Sequence, residues 1–132
     1  MILVVDASLV TAFLIDGGPD GVWAENIMTH GRLAAPHLLP VEVASVLRRA
    51  SLTGEISSDA ASMAHADLLA MRIDFFPYEP FAARAWELRG NLTLYDAWYV
   101  SLAEALQAKL ATLDERLTLA PGPRCEFVVP TR

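Results

Sequence analysis

Short, unbroken apolar runs recur along this chain, each followed by stretches of helical periodicity, and that alternation limits the folds open to it. Residues 2–5, Ile-Leu-Val-Val, carry no polar side chain on either face, as suits a strand buried on both sides of a parallel sheet. Parallel neighbours need long crossovers, which helices supply. Residues 8–15 read as a short helix closed by Asp16-Gly17-Gly18-Pro19, and Asp20 is placed to cap a helix over 21–29 that Gly31 stops. A second strand is expected at 33–35. A helix over 39–52 follows, with Pro40 at its start, Gly54 at its end and Leu39, Val43, Val46, Leu47 and Ala50 on one face. Ser57 or Ser58 caps a helix reaching about residue 71, and 73–76 is the third strand.

The second half repeats the pattern. Helices are expected over 81–88 and 94–106, the latter apolar nearly all round except for Ser101, Glu104 and Gln107. Strand four is read at 110–113, a short helix at 115–119, and an edge strand at 126–129 after the Pro121-Gly122-Pro123 loop. The order βααβααβααβαβ predicts a three-layer α/β/α sandwich around a parallel sheet of about five strands. With 132 residues the chain is expected to form one domain, 1–132, burying roughly two-thirds of its unfolded surface. A hydrophobic content of 54% leaves apolar surface to cover against another subunit or a partner. No run approaches the roughly 20 apolar residues that span a bilayer, so no membrane is expected as a partner. The start of the chain reads as a strand and not a signal peptide, and the lone Cys125 points to a reducing, cytoplasmic compartment.

Four acids punctuate this pattern. Asp6 ends the first apolar run and Asp114 ends Lys109-Leu110-Ala111-Thr112-Leu113, while Glu42 and Asp96 fall in the first turns of apolar helices. In a parallel sheet the strand C-termini and the helix starts that follow share one edge, where carboxylates distant in sequence can meet. Such a pocket suits a divalent metal, and with it phosphate chemistry. Each acid also has a plainer reading as a cap or as first-turn charge, and Thr93-Leu94-Tyr95-Asp96 resembles a capping box. Clustering favours the metal: two bare charges at 4 Å repel by about 4 kcal/mol at an effective dielectric near 20. A helix end offsets only about 0.3–1 kcal/mol of that.

The net charge of −6 argues against a nucleic-acid partner until those four acids are set aside. Twelve acids then face ten bases, and nine of the ten are Arg, the better phosphate ligand. Ser8, two residues past Asp6, and Thr112, two before Asp114, can orient carboxylates or serve as caps. Arg116 can hold a phosphate or pair with Asp114 or Glu115. Arg48-Arg49 is a solvated helix face, or a contact for phosphate or a partner's acids. His30, His37 and His65 lack ligand spacing, and Trp23, Trp86 and Trp98 read as core.

Four blocks resemble the PIN-domain ribonucleases, and within them the VapC-type toxins of bacterial toxin–antitoxin pairs. They are Val4-Val5-Asp6-Ala7-Ser8, the run from Ala35 through Val41-Glu42-Val43 to Arg49, the run from Leu94-Tyr95-Asp96-Ala97-Trp98-Tyr99 to Glu104, and Ala111-Thr112-Leu113-Asp114-Glu115-Arg116-Leu117. All four acids are intact, and Ser45 stands where the family often has Asn. The resemblance implies an Mg²⁺- or Mn²⁺-dependent endoribonuclease with Asp6, Glu42, Asp96 and Asp114 as catalytic metal ligands, working as a homodimer and inhibited by a cognate antitoxin. Other chemistries fit less well. A haloacid-dehalogenase-type phosphatase needs a second Asp where Ser8 stands, Lys109 precedes its strand and so does not suit a receiver domain, and both GxGxxG and the P-loop are absent. A catalytically silent protein-binding module is the alternative from another class.

Overall fold

The computed structural model describes residues 1–131. Its elements run β1 (Ile2–Val5), α1 (Ala7–Ile15), α2 (Pro19–Met28), β2 (Arg32–Pro36), α3 (Leu39–Leu52), α4 (Ser58–Ala70) and β3 (Ile73–Phe76). A 3₁₀ turn (Glu79–Phe81) leads into α5 (Ala82–Glu87), followed by α6 (Leu94–Leu106), β4 (Lys109–Ala111), α7 (Glu115–Leu119) and β5 (Phe127–Val128). The five strands form one parallel sheet in the order β3-β2-β1-β4-β5. Helices α1 to α4 pack on one another on one side, and α6 lies across β1, β2 and β4 with α5 beside it. This is the three-layer α/β/α sandwich that the alternation predicts.

The topology also says where a site belongs. From β1 the chain winds outward through β2 to β3, then returns to β4 on the other side of β1. Connections leave β1 and β4 in opposite directions, so a crevice opens at their C-terminal ends, the usual ligand position in open α/β sheets. Asp6 and Thr112 are the first residues past those two strands.

Packing explains the boundaries. Val4, Val5, Leu9, Leu39, Val100, Leu102 and Leu110 are fully buried, and each such side chain contributes about 1.5–3 kcal/mol. Gly21 lets α2 lie against the end of α1, since a Cβ there would stand 1.8 Å from the Asp16 carbonyl oxygen. Arg84 of α5 grips Glu104 of α6 through two hydrogen bonds, 2.7 and 3.1 Å, and reaches the Gly122 carbonyl at 2.9 Å. That bridge pins the loop that delivers β5.

Several local expectations are corrected. Gly18, not Asp20, precedes α2, because Pro19 already supplies its first residue. The helix expected over 81–88 shortens to α5, since Pro80 sits in a 3₁₀ turn. Strand β4 takes in Lys109 and stops at Ala111: the Thr112 N–H still donates to the Val128 carbonyl at 3.0 Å, but the Leu113 N–H turns to Ser8 Oγ. The edge strand is only Phe127–Val128. Ser101 is buried and satisfied by the Ala97 carbonyl at 2.7 Å, so it is no part of a polar stripe. Trp86 is not core: it is 58% exposed, with the Arg89 guanidinium 4.4 Å from its ring centroid. Among the described residues no helix is long and apolar enough to cross a membrane.

Candidate active site

Asp6 is the anchor. The backbone is extended at Asp6, and its side chain caps α1 by accepting from the Leu9 N–H at 3.1 Å. The Ser8 hydroxyl donates to the same oxygen, Oδ1, at 2.6 Å, and the Thr112 hydroxyl donates to Oδ2. Both hydroxyls are held from behind: Ser8 Oγ accepts from the Leu113 N–H at 3.1 Å, and Thr112 Oγ1 from the Asp114 N–H at 2.9 Å. The turn after β4 is thereby stitched to the start of α1 across the switch point, and Asp6 has little freedom to rotate. It is 8% exposed.

The other acids arrive from three more elements. Glu42 stands in the first turn of α3, and its Oε1 accepts from the Tyr99 hydroxyl at 2.6 Å. Asp96 stands in the first turn of α6, its N–H satisfied by the Thr93 cap at 3.1 Å. Asp114 caps α7 by accepting from the Arg116 N–H at 3.0 Å, with the Arg116 guanidinium 3.7 Å away and 94% exposed. An ion pair so exposed contributes little. The capping readings therefore hold for Asp6 and Asp114, yet they use only part of each carboxylate.

Electrostatics ties these groups into one field. Burial pushes the Asp6 carboxyl above the ordinary carboxylate range; the Ser8, Thr112 and Leu9 donors oppose that, and the Asp96 charge adds to it. Burial likewise raises Glu42, opposed by Tyr99 and reinforced by the charges of Asp6 and Asp96. Asp96 is raised by burial and by Asp114, against the pull of Thr93 and Arg116. The Tyr99 hydroxyl is driven far up by burial and by Glu42, so it stays a donor. Among the described residues no Lys, Arg or His pairs with Asp6, Glu42 or Asp96. Three part-buried or buried carboxylates thus repel one another, and among the described residues the exposed Arg116, acting on Asp96, makes no ion pair with any of the three.

The donors are all oxygens, the ligand type of hard cations such as Mg²⁺. They are not drawn into a ready-made cage: among the described residues no three Asp, Glu, His or Cys side chains form a group that holds a metal as it stands. Sequence reasoning missed Tyr99. Its signal was available: it lies three residues after Asp96, hence on the same helix face, and a buried tyrosine hydroxyl needs a partner.

Comparison with known proteins bears on this arrangement. The PIN domain family model matches residues 3–122. The chain is 43% identical over 126 residues to ribonuclease VapC1 of Mycobacterium tuberculosis, covering 94% of each protein. It is 35% identical over 130 residues to ribonuclease VapC9 of the same organism, covering 98% of this chain and 99% of that one. The crystal structure of VapBC2 from Rickettsia felis, bound to a DNA fragment from their promoter, superposes with a TM-score of 0.70 at 13% identity. It covers 99% of this chain and all of that one, and at that identity it speaks for the fold alone. With the family model spanning nearly the whole chain and two such relatives aligned end to end, this chain belongs to the PIN-domain family, in its VapC branch.

Proposed function

We propose that this chain is a cytoplasmic endoribonuclease toxin that hydrolyses RNA phosphodiester bonds with Mg²⁺, or Mn²⁺, held by Asp6, Glu42 and Asp96, with Asp114 as the outermost acid. The observation that carries the reading is Asp6: a buried carboxylate, locked by three donors at the switch point, within electrostatic reach of two more unpaired acids. Relatives named ribonucleases support the reaction class. A bound Mg²⁺ supplies a water of lowered pKa and offsets charge developing on the phosphate oxygens.

The protein's own part is orientation and charge. Asp6 presents its carboxylate in a fixed pose, with Ser8 and Thr112 holding one oxygen each. Glu42 is aimed by Tyr99 through Oε1, leaving Oε2 free. Arg116, exposed beside Asp114 and near enough to Asp96 to lower its pKa, can meet a substrate phosphate. The stacked acids also keep RNA away from the metal-free pocket, so nucleotide entry and metal entry are coupled by charge.

Two partners belong to the same proposal. Val22 on α2, Val41 and Leu52 on α3, and Trp86 on α5 are more than half exposed. These apolar side chains fit a homodimer interface together with the contact surface of a small cognate antitoxin. A basic side chain from that antitoxin would be drawn to the acidic pocket and pair with Asp6, Glu42 or Asp96. Purified protein incubated with total RNA, with and without Mg²⁺, tests the enzyme: metal-dependent cleavage ends are expected, and intact RNA at every metal concentration favours a silent binding module. Co-expression with the open reading frame directly upstream tests the antitoxin, and sedimentation at micromolar concentration tests the dimer.

A further inference from the structure

We propose that the cleft between α1 and α3 is a nucleobase subsite for the nucleotide next to the scissile phosphate, with Arg49 on that nucleotide's phosphate and Glu55 reading the base edge. This rests on the ribonuclease reading and adds a specificity site to it.

The cleft has a volume of about 510 Å³, inside the range of small-molecule sites. It opens directly beside the carboxylates, for Ser8 and Leu113 line it and the same Ser8 hydroxyl is bonded to Asp6. Along α3 the residues Glu42, Val46 and Arg49 follow one stripe, four and then three residues apart. Seven residues of helix rise about 10 Å. Arg49 therefore stands about two turns further along the helix than Glu42, where its side chain can meet the phosphate of a flanking nucleotide.

The lining suits a base. Ile15 and Val46 make an apolar wall, while Arg49 and Glu55 stand exposed at the rim. Among the described residues the guanidinium groups of Arg48, Arg49 and Arg72 make no hydrogen bond or ion pair, while Arg32, Arg84, Arg89 and Arg116 are engaged; of those three, Arg49 lines this cleft. Thr11 also lines the cleft, and among the described residues its hydroxyl is one of two buried polar side-chain groups without a partner. Threonine on a helix has two accessible χ1 rotamers, so that hydroxyl can turn toward a bound base. A carboxylate only accepts hydrogen bonds; the amino groups of adenine, cytosine and guanine offer it an open donor, whereas the uracil N3–H lies between two carbonyl oxygens that repel a carboxylate, so Glu55 favours the amino-bearing bases over uracil. By contrast, a cleft of about 520 Å³ beside Lys109 and Cys125 lies at the start of β4, at the opposite end of the sheet from the acids.

The test is cleavage of a randomised single-stranded RNA pool by the protein with Mg²⁺, sequencing the ends, alongside binding of fluorescein-labelled hexanucleotides with Ca²⁺ in place of Mg²⁺, so that a divalent cation still offsets the acids. Wild type is expected to show a bias against uracil at one position flanking the cut. Glu55→Gln should flatten that bias, and Val46→Phe, which fills the cleft, should abolish it at that position only. Arg49→Gln should weaken hexanucleotide binding about tenfold and reduce the slope of log affinity against log salt by about 0.7. Arg49→Gln and Glu55→Gln alter exposed side chains and serve even if Val46→Phe fails to fold. Cleavage by wild type with unchanged bias and affinity in both Gln variants overturns the subsite and leaves the ribonuclease reading standing. Variants that spare RNA and instead release the protein encoded upstream assign the cleft to that partner and overturn the subsite too. No cleavage and no hexanucleotide binding by wild type overturns both.

Discussion

Removing the Tyr99 hydroxyl probes the organisation of the site most directly, because Phe keeps the buried ring and deletes one hydrogen bond. Tyr99 is 3% exposed and donates to Glu42 Oε1 at 2.6 Å. A hydrogen bond to a charged group contributes about 1.5–3 kcal/mol net, against about 0.5–1.5 kcal/mol for a neutral pair. The cost of Tyr99→Phe therefore depends on whether Glu42 is ionised. Burial raises the Glu42 pKa and the Tyr99 bond holds it down, so the bond favours the carboxylate form. Its additional contribution is present above the folded Glu42 pKa and is lost as pH falls through it. In metal-free protein, Tyr99→Phe should cost about 1.5–3 kcal/mol near pH 8 and about 0.5–1.5 kcal/mol once Glu42 is protonated, with water at the half-buried carboxylate favouring the lower ends. Urea denaturation at both pH values with matched m-values measures this. An unaimed Glu42 should also weaken Mg²⁺ about 10-fold or more, as loss of a ligand's supporting hydrogen bond does. An equal loss at both pH values, or none at either, would refute the dependence of Glu42 on Tyr99.

Asp6→Asn and Asp96→Asn should each lower Mg²⁺-dependent RNA cleavage by about 100-fold or more while the protein still folds cooperatively; full activity in either sinks the carboxylate site. Because the folded pKa values of Asp6, Glu42 and Asp96 lie above their ordinary values of 3.8, 4.5 and 3.8, these groups favour folding fully below those values. That contribution is lost as pH rises through the raised values. Metal-free protein should therefore lose stability over that rise, and Mg²⁺ at about 100 times its Kd should add about 2.7 kcal/mol near pH 8. A calorimetric Tm indifferent to Mg²⁺ at that pH counts against the metal site. Gly21→Ala, which would set a Cβ 1.8 Å from the Asp16 carbonyl oxygen, should cost about 1–3 kcal/mol by forcing α1 and α2 apart; an unchanged melting curve refutes the close approach.

What the sequence by itself determined is the layering and the candidate acids. Ile2–Val5 and Ile73–Phe76 are legible as strands, and Leu39–Leu52 and Leu94–Leu106 as helices, because hydrophobic period is a local property. Asp6, Glu42, Asp96 and Asp114 stand out because each sits at the end of such a segment, where a parallel sheet gathers its strand ends. Only the tertiary structure decided the rest. The strand order brings β4 beside β1 from 106 residues along the chain, so that Thr112 and Ser8 bond Asp6 from opposite sides. The same packing cuts β4 short at Ala111 and turns Trp86 outward. It also sets Tyr99 on α6 against Glu42 on α3, 57 residues apart. These features depend on pairs of residues meeting in space, and a one-dimensional pattern records what each residue prefers without saying which distant group will satisfy it.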